Sequence, residues 1–344
     1  MMTVPEKYRP GGVRKGMKAE MALSPPALVL TVLLVAFTAT AYGQACSCGG
    51  APLMGSLEVP ATSAGRWQFG LTYEYHSIAD VVSVTQQLKD DNRSRSINSG
   101  LLEVSYGLTN RISTSVLFSF LQQERTITSS AGTGEVRRTR GLGDGLFLLK
   151  YSLLPFSVFH RRQVTLGVGF KVPLGKSSLT ANNVLVSADM QPGSGSFDGV
   201  VWGYFYQSLF NIAPIGIQAT VSYRLTGNND HFGRTGDTHR FGKELILTTG
   251  VSYSPISVFD YTLTLRYRSV AADQFNGATL PNSGGKWLQL APGLNLNITN
   301  TLSIRFAGQI PTYRRLEGTQ LTTSYATSVS VYFSPVVSKE DILP

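Results

Sequence analysis

The two cysteines of the chain, Cys46 and Cys48, are separated by a single serine and followed by two glycines. Two thiolates at this spacing could hold a soft metal ion. A tetrahedral site takes four ligands, so a second chain or other side chains would have to complete it. A lipid anchor on Cys46, a disulfide formed in an oxidising compartment and no specialised role are the other interpretations.

The four histidines, at His76, His160, His231 and His239, offer little catalytic chemistry. The last two flank one polar segment, HFGRTGDTH, and could meet at a metal ion, but a solvated loop is the simpler interpretation. A membrane-embedded hydrolase would need a serine beside a histidine, and neither His76 nor His160 has a marked serine partner. No Ser/His/Asp order, HExxH motif or phosphate-binding loop is convincing. We therefore expect neither an enzyme nor a cofactor.

A larger group of charged residues stands at positions that alternate with apolar ones. Its members are Glu74, Glu103, Asp144, Lys150, Lys171, Arg224, Glu244, Arg266, Arg268 and Arg305. If they line a pore, opposed acids and bases can set an ion preference and narrow the passage. If they pair, they form a network that holds a narrow barrel closed, since buried charges persist only when paired. A register slip of one residue would turn them all outward.

The elements that position these side chains are predicted to be β-strands, because polar and apolar residues alternate with period two after residue 65. In the first such segment, Trp67, Phe69 and Leu71 alternate with polar residues or glycine. The same pattern recurs at 104–108, 112–120, 164–172, 217–225, 245–253, 261–267, 288–298, 302–306 and 325–333. Two further segments, near 140–153 and 197–209, are strand-like but have an ambiguous face. The sequence thus predicts about twelve strands, an even number, as in bacterial outer-membrane barrels.

The composition and the N-terminus agree with export to the cell envelope. The chain of 344 residues has 35 glycines, 17 phenylalanines and 15 tyrosines but only 15% charged residues. Its one long apolar run, at 27–38, is too short for a transmembrane helix, which takes about 20 residues. Lys18 precedes this run and small residues follow it, which predicts a secretory signal cleaved after Gly43 or Ala45. A signal this long is unusual, so translation from Met17 or Met21 would fit the motif better.

The connections between the segments also alternate in length. Tight turns are expected at 109–110, 155–160, 211–215, 255–259 and 299–300, and longer polar loops near 78–97, 125–139, 174–192, 227–240, 272–285 and 313–319. This asymmetry is typical of the periplasmic and extracellular ends of outer-membrane barrels. Since an open strand edge in lipid costs several kcal/mol for each unpaired backbone group, the sheet must close. A soluble β-sandwich or solenoid, which also alternates, is the alternative.

The predicted architecture is therefore an all-β, transmembrane antiparallel up-and-down β-barrel of about twelve strands. Its expected domains are a signal peptide at 1–45, a periplasmic N-terminal segment with the CxC pair at 46–65, the outer-membrane barrel at 66–333 and a periplasmic tail at 334–344. No cluster of basic residues stands out except Arg137, Arg138 and Arg140. This distribution argues against nucleic-acid binding.

Three glycine-rich motifs carry a family resemblance: GLGDG at 141–145, VPLGK at 172–176 and GSGSFD at 193–198. In order and spacing they resemble the outer-membrane transporter-like family labelled as a component of the meta-pathway of phenol degradation. The resemblance covers residues 66 to 333. Leu174 departs from it, because the family commonly has a small or polar residue before that glycine. The resemblance implies an outer-membrane barrel that moves small hydrophobic or aromatic molecules.

Taken together, these patterns favour a channel or transporter for a small solute in the cell outer membrane. Its expected partners are outer-membrane lipid, the barrel-assembly machinery and the solute, without nucleic acid; the sequence does not indicate an oligomeric state. Two alternatives remain open at this point. One is a closed structural or adhesion barrel that binds a partner through its outer loops, and the other is a metal-handling envelope protein that uses Cys46 and Cys48.

Overall fold

The computed structural model of the chain describes residues 62–90, 92–128, 134–156, 161–209, 214–233 and 237–335. The expected signal peptide, its alternative start sites, both cysteines, His160 and most of the C-terminal tail lie outside these residues. Within them, no helix is long and apolar enough to cross a membrane.

The described part of the chain is built from β-strands, which are numbered in chain order. They are β1 (Trp67–Ser83), β2 (Gln86–Leu88), β3 (Arg93–Gly107), β4 (Ile112–Thr128), β5 (Gly134–Leu142), β6 (Gly145–Leu154), β7 (Arg162–Val172), β8 (Thr180–Ala181), β9 (Val184–Leu185), β10 (Asp198–Ser208), β11 (Ile215–Leu225), β12 (Asn229–Phe232), β13 (Asp237–Arg240), β14 (Glu244–Ile256), β15 (Phe259–Val270), β16 (Gln274–Phe275), β17 (Ala278–Thr279), β18 (Gly285–Asn297), β19 (Leu302–Leu316) and β20 (Thr319–Phe333). One short 3-10 helix, Ala188–Met190, precedes β10.

Thirteen of these strands form the wall of a closed antiparallel barrel. Each long strand pairs with its neighbours along the chain, and β1 pairs with both β3 and β20, which closes the sheet. β5 pairs with the C-terminal half of β4, and β6 pairs with its N-terminal half. β5 and β6 together therefore make one interrupted strand. The wall therefore contains twelve strands, and the predicted fold class is confirmed. Closure leaves the membrane-spanning backbone groups hydrogen-bonded, as a lipid environment requires.

The two faces of the wall differ in the way that the alternation predicts. In β1, Leu71 and Tyr73 are 61% and 52% exposed, whereas Thr72 and Glu74 are buried. The exposed face is rich in leucine, valine, phenylalanine and tyrosine and is the face that lipid covers. The two segments of ambiguous face are also resolved: Lys150 and Trp202 point into the lumen, and Leu149 and Val201 are exposed on the outside.

Some segments that were expected to be loops are strands. β1 runs to Ser83 and β3 begins at Arg93, so most of the loop predicted at 78–97 is paired, and the same holds for 125–139 and 313–319. These strand ends lose the regular apolar outer face because they extend beyond the lipid-covered part of the wall, although Ile78, Val81 and Val82 of β1 remain buried there. The sequence prediction was wrong here since it treated the loss of apolar alternation as the end of the strand.

Three long connections, at 173–197, 226–243 and 271–284, gather at one end of the barrel, while the turns at the other end are short. Long connections are typical of the extracellular end, and we call this end the outer end. β12, β13, β16 and β17 form a small sheet of their own there. The interpretation of 227–240 as a solvated loop was therefore wrong. Phe232, His239 and Phe241 are buried within this sheet and give it an aromatic core.

The connection at 173–197 folds inward instead of extending into solvent. Its last part, residues 186–196, is almost entirely buried, with Met190 at 0% and Gln191 at 1% exposure. It contacts inward-facing side chains such as Arg95, Gln123 and Thr139. We call residues 186–196 the lumen segment.

Candidate functional site

The inner wall near the outer end carries a belt of six alternately charged side chains. The closest approaches along this charged belt are Lys171 to Asp144 (2.5 Å), Lys171 to Asp198 (3.2 Å), Arg224 to Asp198 (4.0 Å), Arg224 to Glu244 (3.0 Å) and Arg268 to Glu244 (2.5 Å). The strand register creates it, because Lys171 lies directly opposite Asp198 and Arg224 directly opposite Glu244. Three acids and three bases therefore compensate one another around half of the wall, as buried charges require.

Aromatic side chains extend the charged belt around the wall. The guanidinium of Arg268 lies 5.0 Å from the ring centre of Trp287, within the range of a cation–π contact. The indole N–H of Trp287 donates to Thr322 Oγ1 at 2.9 Å, which reaches β20. Val82, Val270 and Leu316 pack with Trp287 in one buried cluster. Polar contacts and a small apolar core thus both hold this end of the lumen in place.

A second group of charges lies deeper in the lumen. Lys150 is 1% exposed, and its ammonium nitrogen lies 5.2 Å from the ring centre of Trp202. Glu103 interacts electrostatically with Lys150 and accepts a hydrogen bond from Ser105 Oγ at 3.2 Å. Glu74 lies 3.4 Å from the imidazole of His76. These side chains come from β1, β3, β6 and β10 and cross-link the interior of the barrel.

Two cavities of different size lie in the lumen, and we call the smaller one the constriction. A cavity of about 20 Å³, enough for one water molecule, is lined by Arg266, Arg305 and Tyr332 among others. Next to it lies a cavity of about 390 Å³ that Tyr204 and Asp260 help to line. Arg305 and Tyr332 line both cavities and therefore stand at their junction.

The lumen segment is anchored at one end by an aspartate between two arginines. Asp189 accepts a hydrogen bond from Arg95 Nη1 at 2.9 Å and forms a short ion pair with Arg125. Burial alone would raise the pKa of the Asp189 carboxyl, but the charges of Arg125 and Arg95 outweigh it and hold that pKa below its usual value. Thr139 Oγ1 donates to the carbonyl of Met190 at 2.6 Å. Side chains, and not strand pairing, hold this end of the segment.

The other end of the lumen segment is anchored on the charged belt. Ser194 Oγ donates to Asp144 Oδ2 at 2.5 Å and also contacts the ammonium of Lys171, which donates to the carbonyl of Ser196 at 3.0 Å. A serine beside a lysine has the residue types of a hydrolase pair, in which a neutral amine takes the serine proton. Here Ser194 is 2% exposed, and Lys171 acts as a cation between Asp144 and Asp198. The arrangement positions the segment and offers no substrate access.

The remaining histidines do not form a shared site. His231 is exposed, whereas His239 is 3% exposed and lies with its ring centre 4.9 Å from Phe232 and 4.6 Å from Phe241. His76 is also buried. In the described part of the chain, no group of three His, Cys, Asp or Glu side chains could hold a metal ion.

His239 is expected to make the small outer sheet sensitive to acid. Burial lowers its pKa from 6.5 to about 4, and the nearby charge of Asp189 offsets part of this. Between pH 6.5 and about 4, the opened sheet binds more protons than the closed sheet. The closed sheet therefore loses stability as the pH falls through this range. Asp189 contributes no such loss there, because its lowered pKa keeps it ionised until the pH is lower still. The protection factors of the amides in 226–243, which compare each exchange rate with that of an unfolded chain at the same pH, should therefore decrease on going from neutral to mildly acidic pH.

The matched variants for this experiment are His239→Phe and His231→Gln. The first removes the titrating group and keeps an aromatic ring, so most of the acid-induced loss of protection should disappear. The second changes an exposed histidine of the same connection and should behave like the wild type. Equal pH profiles for the wild type and His239→Phe would contradict the role of His239.

The ten charged residues singled out in the sequence all lie on the inward side of the wall. The structure brings Asp144, Lys171, Arg224, Glu244 and Arg268 into the charged belt and places the other five deeper in the lumen. Several partners were missed, namely Arg95, Arg125, Asp189, Asp198 and Trp202. Asp198 stands in the GSGSFD motif and could have been found there. Arg95 continues the alternation of β3 backwards into a stretch that was read as loop.

Comparison with known proteins supports the architecture. No protein-family model matches the chain, and no curated protein matches it in sequence. An outer-membrane channel from Pseudomonas putida F1 is similar in structure, with a TM-score of 0.65 and 13% identity over 82% of this chain and 98% of that one. Two further structures are more distant. The NanC porin has a TM-score of 0.41 and 11% identity over 77% of this chain and 98% of that one. The CymD monoaromatic hydrocarbon channel has a TM-score of 0.40 and 9% identity over 80% of this chain and 90% of that one.

The likeness to the P. putida barrel shows a shared fold. A closed barrel of twelve strands with an apolar outer face is the architecture of outer-membrane proteins. The chain is accordingly an outer-membrane β-barrel, as the sequence predicted.

Proposed function

We propose that this barrel is a channel for a small aromatic solute that bears a polar or anionic group, with the lumen segment as its gate. The observation that carries the proposal is the cavity of about 390 Å³ inside the lumen. It lies towards the periplasmic turns, whereas the outer end of the lumen is occupied by a single segment that is anchored through side chains. Displacing that segment would connect the cavity with the outside.

The lining of the cavities supports this class of solute. Tyr204, Tyr206 and Tyr332 offer aromatic faces, while Gln218 and Asn295 offer amide groups. This mixture suits an aromatic ring with a hydrogen-bonding substituent better than a hydrocarbon. The resemblance of the glycine-rich motifs to a family labelled for phenol degradation supports the same class of solute.

The charges of the constriction support a preference for anions. Arg266 and Arg305 are among the residues that line it, and the described lining includes no acidic residue. Rings of basic side chains favour anions in pores. We infer that the ten inward charges line the transport path, with the compensated belt at the outer end and the positive constriction below it.

Planar-bilayer recording tests this function. The purified protein should conduct, and its reversal potential in a potassium chloride gradient should show anion preference. Arg266→Gln with Arg305→Gln should reduce that preference and keep the conductance, because two positive charges leave the constriction. Arg111→Gln, at an exposed turn on the periplasmic side, is the matched control. Absence of both conductance and solute-induced liposome swelling would contradict the channel and favour a closed structural or adhesion barrel.

We also infer that residues 1–45 are an export signal and that the barrel-assembly machinery inserts the chain. The final strand supports the latter, since exposed Tyr325, Val329 and Phe333 give it the alternating, aromatic-ended form of an assembly signal. The metal-handling alternative concerns Cys46 and Cys48, and the intact mass of the mature protein tests cleavage, lipidation and oxidation together.

A further inference from the structure

Two basic side chains lie directly opposite each other on the outer surface of the barrel. Lys286 of β18 is paired in register with Arg315 of β19, and both are exposed. Their neighbours along the strands, Trp287 and Leu316, are buried in the lumen, so Lys286 and Arg315 point outward. On the other side of Lys286, Ser269 of β15 occupies the same row. The row thus presents two cations and a hydroxyl group near the outer end of the wall.

This arrangement is electrostatically unfavourable on its own. Like charges at directly opposed positions of neighbouring strands destabilise a sheet. In the part of the chain that the structure describes, neither Lys286 nor Arg315 forms an ion pair; the exposed Glu317, two residues from Arg315, does not pair with either. An anion placed between the two side chains would relieve the repulsion.

The surface below this basic row is apolar and concave. The next row towards the membrane centre contains Tyr267, Leu288 and Tyr313, which lie opposite one another. Beneath them is a groove of about 600 Å³. At Gly203 and Ala219, small residues replace large ones in the wall of the groove. The other outward-facing residues that line it are Leu166, Phe205, Val221, Leu247, Thr249 and Leu265. Cations, aromatic residues and an apolar groove follow one another along the membrane normal.

We propose that this surface binds a phosphorylated lipid of the outer leaflet, with a phosphate between Lys286 and Arg315 and an acyl chain in the groove. The order of groups matches that of the lipid: phosphate at the surface, an interfacial region beside the tyrosines, and hydrocarbon below. Ser269 Oγ is placed to donate a further hydrogen bond to the phosphate. The site lies outside the lumen and does not depend on the proposed channel function.

Native mass spectrometry of the full barrel in detergent, titrated with bis-phosphorylated lipid A, tests the proposal. Each basic residue near an anionic membrane surface contributes to the free energy of binding. The double variant Lys286→Gln with Arg315→Gln should therefore weaken binding by about thirtyfold. Dephosphorylated lipid A should bind the wild type as weakly as the intact lipid binds the variant. Arg162→Gln is the matched control, because Arg162 is exposed on β7 at the periplasmic end, and it should bind like the wild type.

A second variant tests the groove separately. Ala219→Phe adds an apolar side chain that fills part of the groove, and the wall should tolerate it because it faces lipid. It should weaken binding of the intact lipid while the basic row is unchanged. Unchanged affinity of the charge variant, or equal binding of phosphorylated and dephosphorylated lipid to the wild type, would overturn the phosphate site. Unchanged affinity of Ala219→Phe would overturn the placement of the acyl chain. A heat-dependent gel shift confirms that each variant is folded.

Discussion

Deletion of residues 178–192, with two glycines joining the ends, is expected to raise the single-channel conductance severalfold. The deletion removes Asp189 and Met190, which anchor the lumen segment on Arg95 and Thr139. It leaves Ser194 and Ser196 available to the charged belt. Since the removed residues occupy the outer end of the lumen, the path for ions should widen while the wall keeps all of its paired strands. Single-channel recording in planar bilayers measures the effect.

A point substitution separates the role of the anchor from that of the bulk of the segment. Asp189→Asn keeps the side-chain volume and removes the charge that binds Arg95 and Arg125. It should increase the frequency of opening more than the size of the open state. Asp230→Asn, an exposed aspartate of the neighbouring connection, should leave both unchanged. If the deletion variant conducts exactly as little as the wild type, the lumen segment is not the gate.

Lys150→Met is expected to destabilise the barrel by about 3–5 kcal/mol, the usual cost of leaving a buried charge without the opposite charge that compensates it. Lys150 is the largest charged side chain in the fully buried interior, and its removal deprives Glu103 of the cation that compensates it. Methionine has a similar length and apolar stem, so the change tests charge more than packing. Urea unfolding in phospholipid vesicles, followed by tryptophan emission, gives the free energy of unfolding.

The double variant Lys150→Met with Glu103→Gln identifies the cause. Neutralising Glu103 removes the uncompensated charge, so the double variant should recover most of the stability that the single variant loses. Lys243→Met, at an exposed position, is the control for the general effect of losing a lysine. A double variant no more stable than Lys150→Met would mean that the contact of the Lys150 ammonium with Trp202, and not its interaction with Glu103, stabilises the wall.

The sequence predicted the fold and the direction of the side chains because both depend on a local period of two. Glu74 and Lys150 could be placed in the lumen from their own segments, without knowledge of any neighbour. The pairing of Lys171 with Asp198 could not, because it depends on how far β10 is shifted along β7. Asp189 gave no signal, since it lies in a connection whose inward path is determined by Arg95 and Arg125 on distant strands.

The burial of His239 was missed for a related reason. A polar segment between two strands is usually solvated, and its sequence contains only one aromatic residue, Phe232, between the histidines. Its core is completed by Phe241 and by Phe275 from another connection. Non-local packing of this kind leaves no periodic trace in the chain.

The interrupted strand also has a consequence for how these barrels coexist in a crowded membrane. Among the described strands, β5 pairs only with β4, so its other side is a strand edge in a wall that is otherwise closed. An exposed edge is a template onto which a neighbouring molecule can add a strand, and charged side chains are a common protection against this. The three arginines that stood out in the sequence, Arg137, Arg138 and Arg140, lie on that strand. Charged side chains at this edge are therefore expected to disfavour the addition of a strand from a neighbouring barrel.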